Sequence, residues 1–248
     1  MTGRPSLLLI PGSLNNARVW AHAAAALAGR ARICIADISE SDSTVAMATA
    51  CLAQADAAGL TGPFAVAGFS LGGYVALEVL RAQPQRIAGL ALISTSARPE
   101  NPQAIPGREK SMLLATRDFE KLLANMRPFM LSQANLGNTA LNAALDTMMR
   151  EVGPDTFVRQ SRAVIGRADC GDLLPGIGVP TLIACGREDK VTPPALSEEL
   201  ARAIPGATLE LMDNCGHMLP FEAGDALARL MAIWLDRIAQ SQPPQGET

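Results

Sequence analysis

Histidine is almost missing from this chain: among 248 residues only His22 and His217 carry an imidazole, so histidine chemistry is confined to two places. Aromatic residues make up 4% and charged residues 18%, against 48% hydrophobic, which excludes a charge-rich disordered chain and leaves one able to bury a sizeable core. A net charge of -3 gives no electrostatic reason to expect nucleic acid or an anionic membrane as partner. No apolar run approaches the ~18 residues of a membrane span. Leu7-Leu8-Leu9-Ile10 ends at Pro11, too short for a signal-peptide core, so a soluble, cytoplasmic protein is expected. The five cysteines, Cys34, Cys51, Cys170, Cys185 and Cys215, form an odd set with no Cys-x-x-Cys pair, which argues against a disulfide framework or a zinc knot. Cys215 stands two residues before His217, yet reads first as a small buried residue.

Short apolar runs at 6–10, 32–36, 64–67, 89–94, 180–185 and 208–212 alternate with helical patterns near 17–28, 43–58, 72–82, 194–204 and 221–239. Continuous apolar strands separated by helices predict an α/β fold whose parallel sheet is covered on both faces. From 98 to 178 the strand pattern lapses, and the stretch reads as helices near 106–131, 138–151 and 154–165. An insertion there is best placed as a lid over the carboxyl ends of the strands. The expected organisation is a core of 1–97 and 179–240, a helical cap of 98–178, and a disordered tail of 241–248 marked by Pro243-Pro244.

The third apolar run leads into Gly68-Phe69-Ser70-Leu71-Gly72-Gly73, a serine with a glycine two residues to either side. A sharp strand-to-helix turn exposes such a serine to a base, and the missing Cβ atoms let helix and strand pack closely. The following helix would aim its first amides at negative charge developing beside Ser70. A phosphate loop is a poor match, because the segment lacks both the Gly-Lys-Ser/Thr ending and the G-x-G-x-x-G spacing. Of the two histidines, His217 lies in a loop after the last strand, on the sheet edge expected for Ser70. His22, in an alanine-rich helix, reads as a surface or capping residue. Asp189, in the loop after the fifth strand, is the candidate to orient the imidazole, with Glu188 and Asp213 as rivals. Two backbone amides should face the oxyanion of an acyl-transfer intermediate: that of Leu71, just after the serine, and one from the loop 11–16. Ser13 N–H is the leading candidate there and Leu14 N–H the alternative.

On these residues the chain resembles the α/β-hydrolase superfamily, in the branch of small bacterial esterases, enol-lactonases and carboxylester hydrolases of biotin and menaquinone synthesis. The resemblance covers nearly the whole chain and implies a Ser70, Asp189, His217 triad with Ser13 and Leu71 as oxyanion amides. It also implies about six mainly parallel strands in the order 2-1-3-4-5-6. Three departures stand out: Pro11-Gly12 where the family has His-Gly, a loop 37–43 without the usual glycines, and only five residues before the first strand, too few for an N-terminal hairpin. The activity expected is hydrolysis of a small carboxylic ester, thioester or lactone through an acyl-serine, without cofactor or metal. Carbon–carbon bond cleavage with the same triad is the alternative, and a ligand receptor on this fold is disfavoured. The expected partner is a small molecule with an apolar acyl or carboxylate-bearing part; the oligomeric state stays open. Eight arginines lie between Arg98 and Arg167, and one or two turned inward would suit a carboxylate.

Overall fold

Strands that are apolar on both faces need a helical layer on each side, and helical crossovers supply both layers at once. The computed structural model describes residues 4–241. Its strands β1 (Ser6–Ile10), β2 (Arg32–Ile35), β3 (Phe64–Phe69), β4 (Ile87–Ile93), β5 (Thr181–Gly186) and β6 (Thr208–Met212) form one sheet in the order β2-β1-β3-β4-β5-β6. Every neighbouring pair is parallel. Alternate residues of a strand feed opposite cores. Leu7 and Leu9 share one core with Trp20, Leu27, Met231 and Trp234, whereas Leu8 and Ile10 share the other with Met47, Cys51, Val75 and Leu77. Burial follows position in the sheet: β3 and β5 are buried throughout, whereas the edge strand β6 is half-buried along its length.

The covering helices are α1 (Ala21–Leu27), α2 (Thr44–Ala57) and α3 (Leu71–Ala82) in the first half of the chain. Between β4 and β5 come α4 (Ile105–Arg117), α5 (Phe119–Met130), α6 (Thr139–Val152) and α7 (Pro154–Ile165). After β5 follow α8 (Pro194–Ala203), α9 (Leu219–Glu222) and α10 (Gly224–Ser241). The inserted helices pack into both cores, Leu122, Leu123, Leu145 and Met148 on one side of the sheet and Ala163 and Val164 on the other. Their two ends are clasped: Cys170 N–H donates to Ala97 C=O at 2.8 Å, and Arg167 reaches the carbonyls of Arg98 and Pro99.

Several expected helices are divided. The stretch 106–131 breaks at Asp118, whose backbone leaves the helical region (φ -156°, ψ 83°) and whose carboxylate accepts Lys121 N–H, so it caps a new helix. The first helix begins as a 3-10 turn, Ala17–Trp20, capped by Asn16, and the last is preceded by the short α9. Strand β4 starts at Ile87, two residues early, through a bulge opposite Phe64 and Ala65. Ser241 belongs to α10; the rest of the tail expected to be disordered, 242–248, lies outside the described residues. Among the described residues no helix is long and apolar enough to cross a membrane.

The turn from β3 into α3 is where the fold is tightest. A Cβ on Gly68 would lie 2.1 Å from Gly72 O, and one on Gly72 would lie 2.3 Å from Ile10 O. Helix α3 therefore touches both β3 and β1 through bare backbone. Gly68→Ala is expected to lower unfolding free energy by about 3 kcal/mol or more, since backbone cannot yield to the added methyl. Gly29→Ala, with nothing within 4 Å of its Cβ position, should stay within about 0.5 kcal/mol. Urea unfolding of the two variants reads the difference.

Candidate active site

Tight packing at the elbow forces Ser70 into an uncommon backbone conformation, φ 53° and ψ -115°, held by two hydrogen bonds. Ser70 N–H donates to Ile93 C=O at 2.9 Å, and Thr95 Oγ1 donates to Ser70 C=O at 2.8 Å. Such strain costs about 1–3 kcal/mol and persists only where neighbours over-determine it. Its effect is to lift Ser70 Oγ off the sheet edge to 3.0 Å from His217 Nε2.

His217 stands in the loop between β6 and α9, buried, with its ring centroid 5.3 Å from that of Phe69. His217 Nδ1 lies 2.8 Å from Asp189 Oδ2, and an ionised carboxylate only accepts, so Nδ1 carries the hydrogen and Nε2 is free to accept from the serine. Asp189 is buried and saturated with donors. Its Oδ1 accepts Val191 and Thr192 N–H at 2.9 and 2.8 Å, and its Oδ2 also accepts Thr192 Oγ1–H at 2.9 Å. Burial alone would raise the Asp189 carboxyl, but His217, and then the Thr192 amide and hydroxyl, hold it below the ordinary carboxylate value.

The rivals fall elsewhere. Glu188 accepts Gln133 N–H at 2.8 Å, Asp213 pairs with Arg187 at 2.7 Å on the surface, and His22 pairs with Asp225 at 2.7 Å. The thiol that reaches the acid is Cys185 Sγ, 3.7 Å from Asp189 Oδ2, rather than that of Cys215. Burial, then the Asp189 charge, pushes Cys185 up to about 12, so both are neutral packing groups at pH 7. Thr192 and Glu222 had no prominence in the sequence. Thr192 is hinted at by a hydroxyl three residues after an acid. Glu222 binds Gly216 N–H at 2.9 Å with one oxygen and Ser132 N–H and Asn135 Nδ2 with the other, tying the His217 loop to the end of α5.

Leu71 opens α3, where an amide has no intrahelical acceptor. Of the two candidates in the loop after β1, Leu14 N–H is already donated to Gln160 Oε1 at 2.8 Å. Among the described residues Ser13 N–H and Leu71 N–H have no protein acceptor, which leaves both open to a substrate oxygen. Beside them lies a cavity of about 340 Å³, bordered by Ser13, Ser70 and His217 and by Met126, Met130, Phe157 and Val164 of the inserted helices. Charged residues line it too. Glu100 accepts Arg108 at 2.6 Å and Arg167 at 3.2 Å, and Arg167 lies over the Tyr74 ring. Burial would raise Glu100, but the two guanidinium groups hold it below its ordinary value. Among the described residues no cluster of three or more His, Cys, Asp or Glu side chains could hold a metal ion.

The sequence profile of the alpha/beta hydrolase fold matches residues 5–224. A pimeloyl-[acyl-carrier protein] methyl ester esterase of Aromatoleum aromaticum is 31% identical over 232 residues, 86% of this chain and 91% of that protein. Esterases of the same name from Neisseria meningitidis match at 28% identity over 64% to 75% of their length. A 2-hydroxy-6-oxononadienedioate/2-hydroxy-6-oxononatrienedioate hydrolase of a Pseudomonas species is 27% identical over 68% of this chain and 62% of its own length. Among solved structures, a malate-bound thermophilic esterase of Thermogutta terrifontis superposes with a TM-score of 0.87 at 26% identity, covering 94% of this chain and 90% of that one.

The geometry makes a prediction independent of any substrate. Phosphonylation of Ser70 by a fluorophosphonate should slow by about three to four orders of magnitude in Asp189→Asn, with thermal unfolding still cooperative. Glu188→Gln should change the rate only a few-fold. The reverse result would move the orienting acid.

Proposed function

The chain belongs to the α/β-hydrolase family, and from that premise we propose that it is a serine hydrolase cleaving a small carboxylic ester, thioester or lactone through an acyl-serine intermediate. The observation that carries this reading is the unbroken hydrogen-bonded line from the Ser70 hydroxyl through the His217 ring to the Asp189 carboxylate. His217 Nε2 takes the Ser70 proton as Oγ attacks the acyl carbon, and the resulting oxyanion is held by the amides of Ser13 and Leu71. The imidazolium, stabilised by Asp189, then hands its proton to the departing oxygen or sulfur. A water deprotonated by the same nitrogen attacks the acyl-serine, and the proton returns to Ser70 as the acid leaves. One water is consumed, one acyl–oxygen or acyl–sulfur bond is broken, and the enzyme is restored.

The names of the esterase relatives support the ester reading. Carbon–carbon bond hydrolysis by the same three side chains is the second reading, favoured by the name of the Pseudomonas relative. The two differ in whether an acyl-enzyme accumulates. In this scheme the inserted helices form the cap of the pocket. All five cysteines are unpaired, which fits a reducing, cytoplasmic compartment.

The pocket walls point to the kind of substrate. Met126, Met130, Phe157 and Val164 favour an apolar chain, and the same cavity is also lined by Arg108, Arg167 and Glu100, a net positive charge. Arg167 spends its donors on Glu100 and on the carbonyls of Val164, Arg98 and Pro99. Among the described residues Arg108 uses only Nε and Nη2, both on Glu100, and Nη1 has no partner there, which leaves it for a ligand. The reading is therefore an ester whose apolar body ends in a carboxylate that meets Arg108.

A fluorophosphonate probe should label the wild-type protein and short p-nitrophenyl esters should turn over, and both signals should vanish in Ser70→Ala. Absence of labelling and turnover in the wild type would sink the hydrolase reading. Arg108→Met is expected to lower kcat/KM for a dicarboxylic acid monomethyl ester by about 10- to 100-fold, the worth of one charge-assisted hydrogen bond. For the neutral dimethyl ester the change should be no more than about threefold, and equal losses on the two esters would remove Arg108 from substrate recognition.

A further inference from the structure

The inserted helices reach the loop after β1 through Glu151, which accepts Asn16 Nδ2 at 3.0 Å at its exposed end, and through a buried side chain at Ser13 and Leu14. Gln160, on α7, is buried, and its Oε1 accepts Leu14 N–H at 2.8 Å and the Ser13 hydroxyl at 3.3 Å across 146 residues of chain. The same peptide unit is gripped from its other side, where Asn15 Nδ2 donates to Ser13 C=O at 2.9 Å. Leu14 itself is fully buried at φ 56°, a left-handed conformation disfavoured for a residue with a Cβ, so the turn needs outside support. Gln160 is there for its acceptor and not as filler. Its Nε2 has no hydrogen-bond partner among the described residues, a cost that an apolar side chain of the same size would avoid.

We propose that Gln160 is a positioning residue: by fixing the Ser13–Leu14 peptide plane it aims the neighbouring Ser13 N–H at the reaction oxyanion. This rests on the serine-hydrolase reading above. Its consequence is that one of the two oxyanion donors is set by the inserted helices rather than by the sheet. The other, Leu71 N–H, is set by the elbow alone. Loss of Gln160 would release a buried N–H and let the strained turn relax, moving the Ser13 amide without touching Ser70, His217 or Asp189.

The test compares Gln160→Met, which keeps size and loses the acceptor, with Gln160→Glu, which keeps an acceptor oxygen. The readouts are kcat and KM for a p-nitrophenyl ester and the inhibition constant of an aryl trifluoromethyl ketone, which adds to the serine as a tetrahedral oxyanion. For Gln160→Met, kcat should fall about 10- to 100-fold, as expected of a donor displaced by a fraction of an ångström, with KM changed less than about threefold. Ketone inhibition should weaken by the same factor, and Gln160→Glu should recover most of both losses. If Gln160→Met does not fold, Gln160→Ala is expected to give the same split. A rise in KM alone, an unchanged kcat, ketone binding unaffected while kcat falls, or Gln160→Glu as poor as Gln160→Met would each overturn the assignment. A wild-type protein that turns over no ester would instead overturn the hydrolase reading itself.

Discussion

The contact on which the rest of the structure depends is bare backbone against bare backbone at the end of β3. Because positions 68 and 72 carry no side chain, the first turn of α3 sits against the carbonyl of Ile10 and closes over the strand it has just left. That closeness puts Ser70 at positive φ, raises its hydroxyl above the sheet edge and leaves the Leu71 amide at the same edge as the loop after β1. A hydroxyl is a weak nucleophile wherever it sits. What the fold contributes is a fixed place for it, 3.0 Å from His217 Nε2, which is left bare to accept because the ring's hydrogen is on Nδ1 and is donated to Asp189.

Around that fixed point the loops of the chain are stitched to one another. Glu222 ties the His217 loop to the end of α5, Glu188 ties the acid loop to Gln133, and Met218 N–H donates to Met130 C=O. The loops bearing the base and the acid thus share one support, the 130–135 segment of the insertion. Buried charge is organised in the same spirit. Asp189 receives hydrogen bonds from two amides, a hydroxyl and an imidazole, and Glu100 is held between two guanidinium groups, so neither carboxylate is buried without partners.

Much of this was legible in the sequence, for reasons that differ by element. Parallel strands buried on both faces announce themselves as continuous apolar runs, and the strand order followed from the resemblance. The spacing of the elbow glycines reports a local steric need, so Ser70 was legible too. His217 could be singled out because imidazole is so scarce. Asp189 ranks first among the carboxylates of the loop after the fifth strand and the resemblance implies the same residue, but Glu188 stays a rival because two adjacent carboxylates differ in which way they point, and local sequence does not encode that. The break at Asp118 was written in the sequence as an N-cap and was overridden by a long apolar periodicity. Gln160, Glu222 and the grouping of Arg108 and Arg167 on Glu100 were not legible at all. Gln160, Glu222 and Arg167 act through partners 67 to 147 residues away or through a backbone amide, and the separation of eight residues between Glu100 and Arg108 matches no regular spacing, so none leaves a local pattern.

The clasp between Ala97 and Cys170 gives the insertion the character of an exchangeable cassette. A segment whose two ends are hydrogen-bonded to each other can be lengthened, shortened or replaced without disturbing the pairing of β4 with β5, so recombination could trade one pocket roof for another on an unchanged sheet. The trade has conditions, because the loops of His217 and Asp189 rest on the 130–135 segment of the insertion. A replacement must also bring its own acceptor for Leu14 N–H, or the loop after β1 loses its brace.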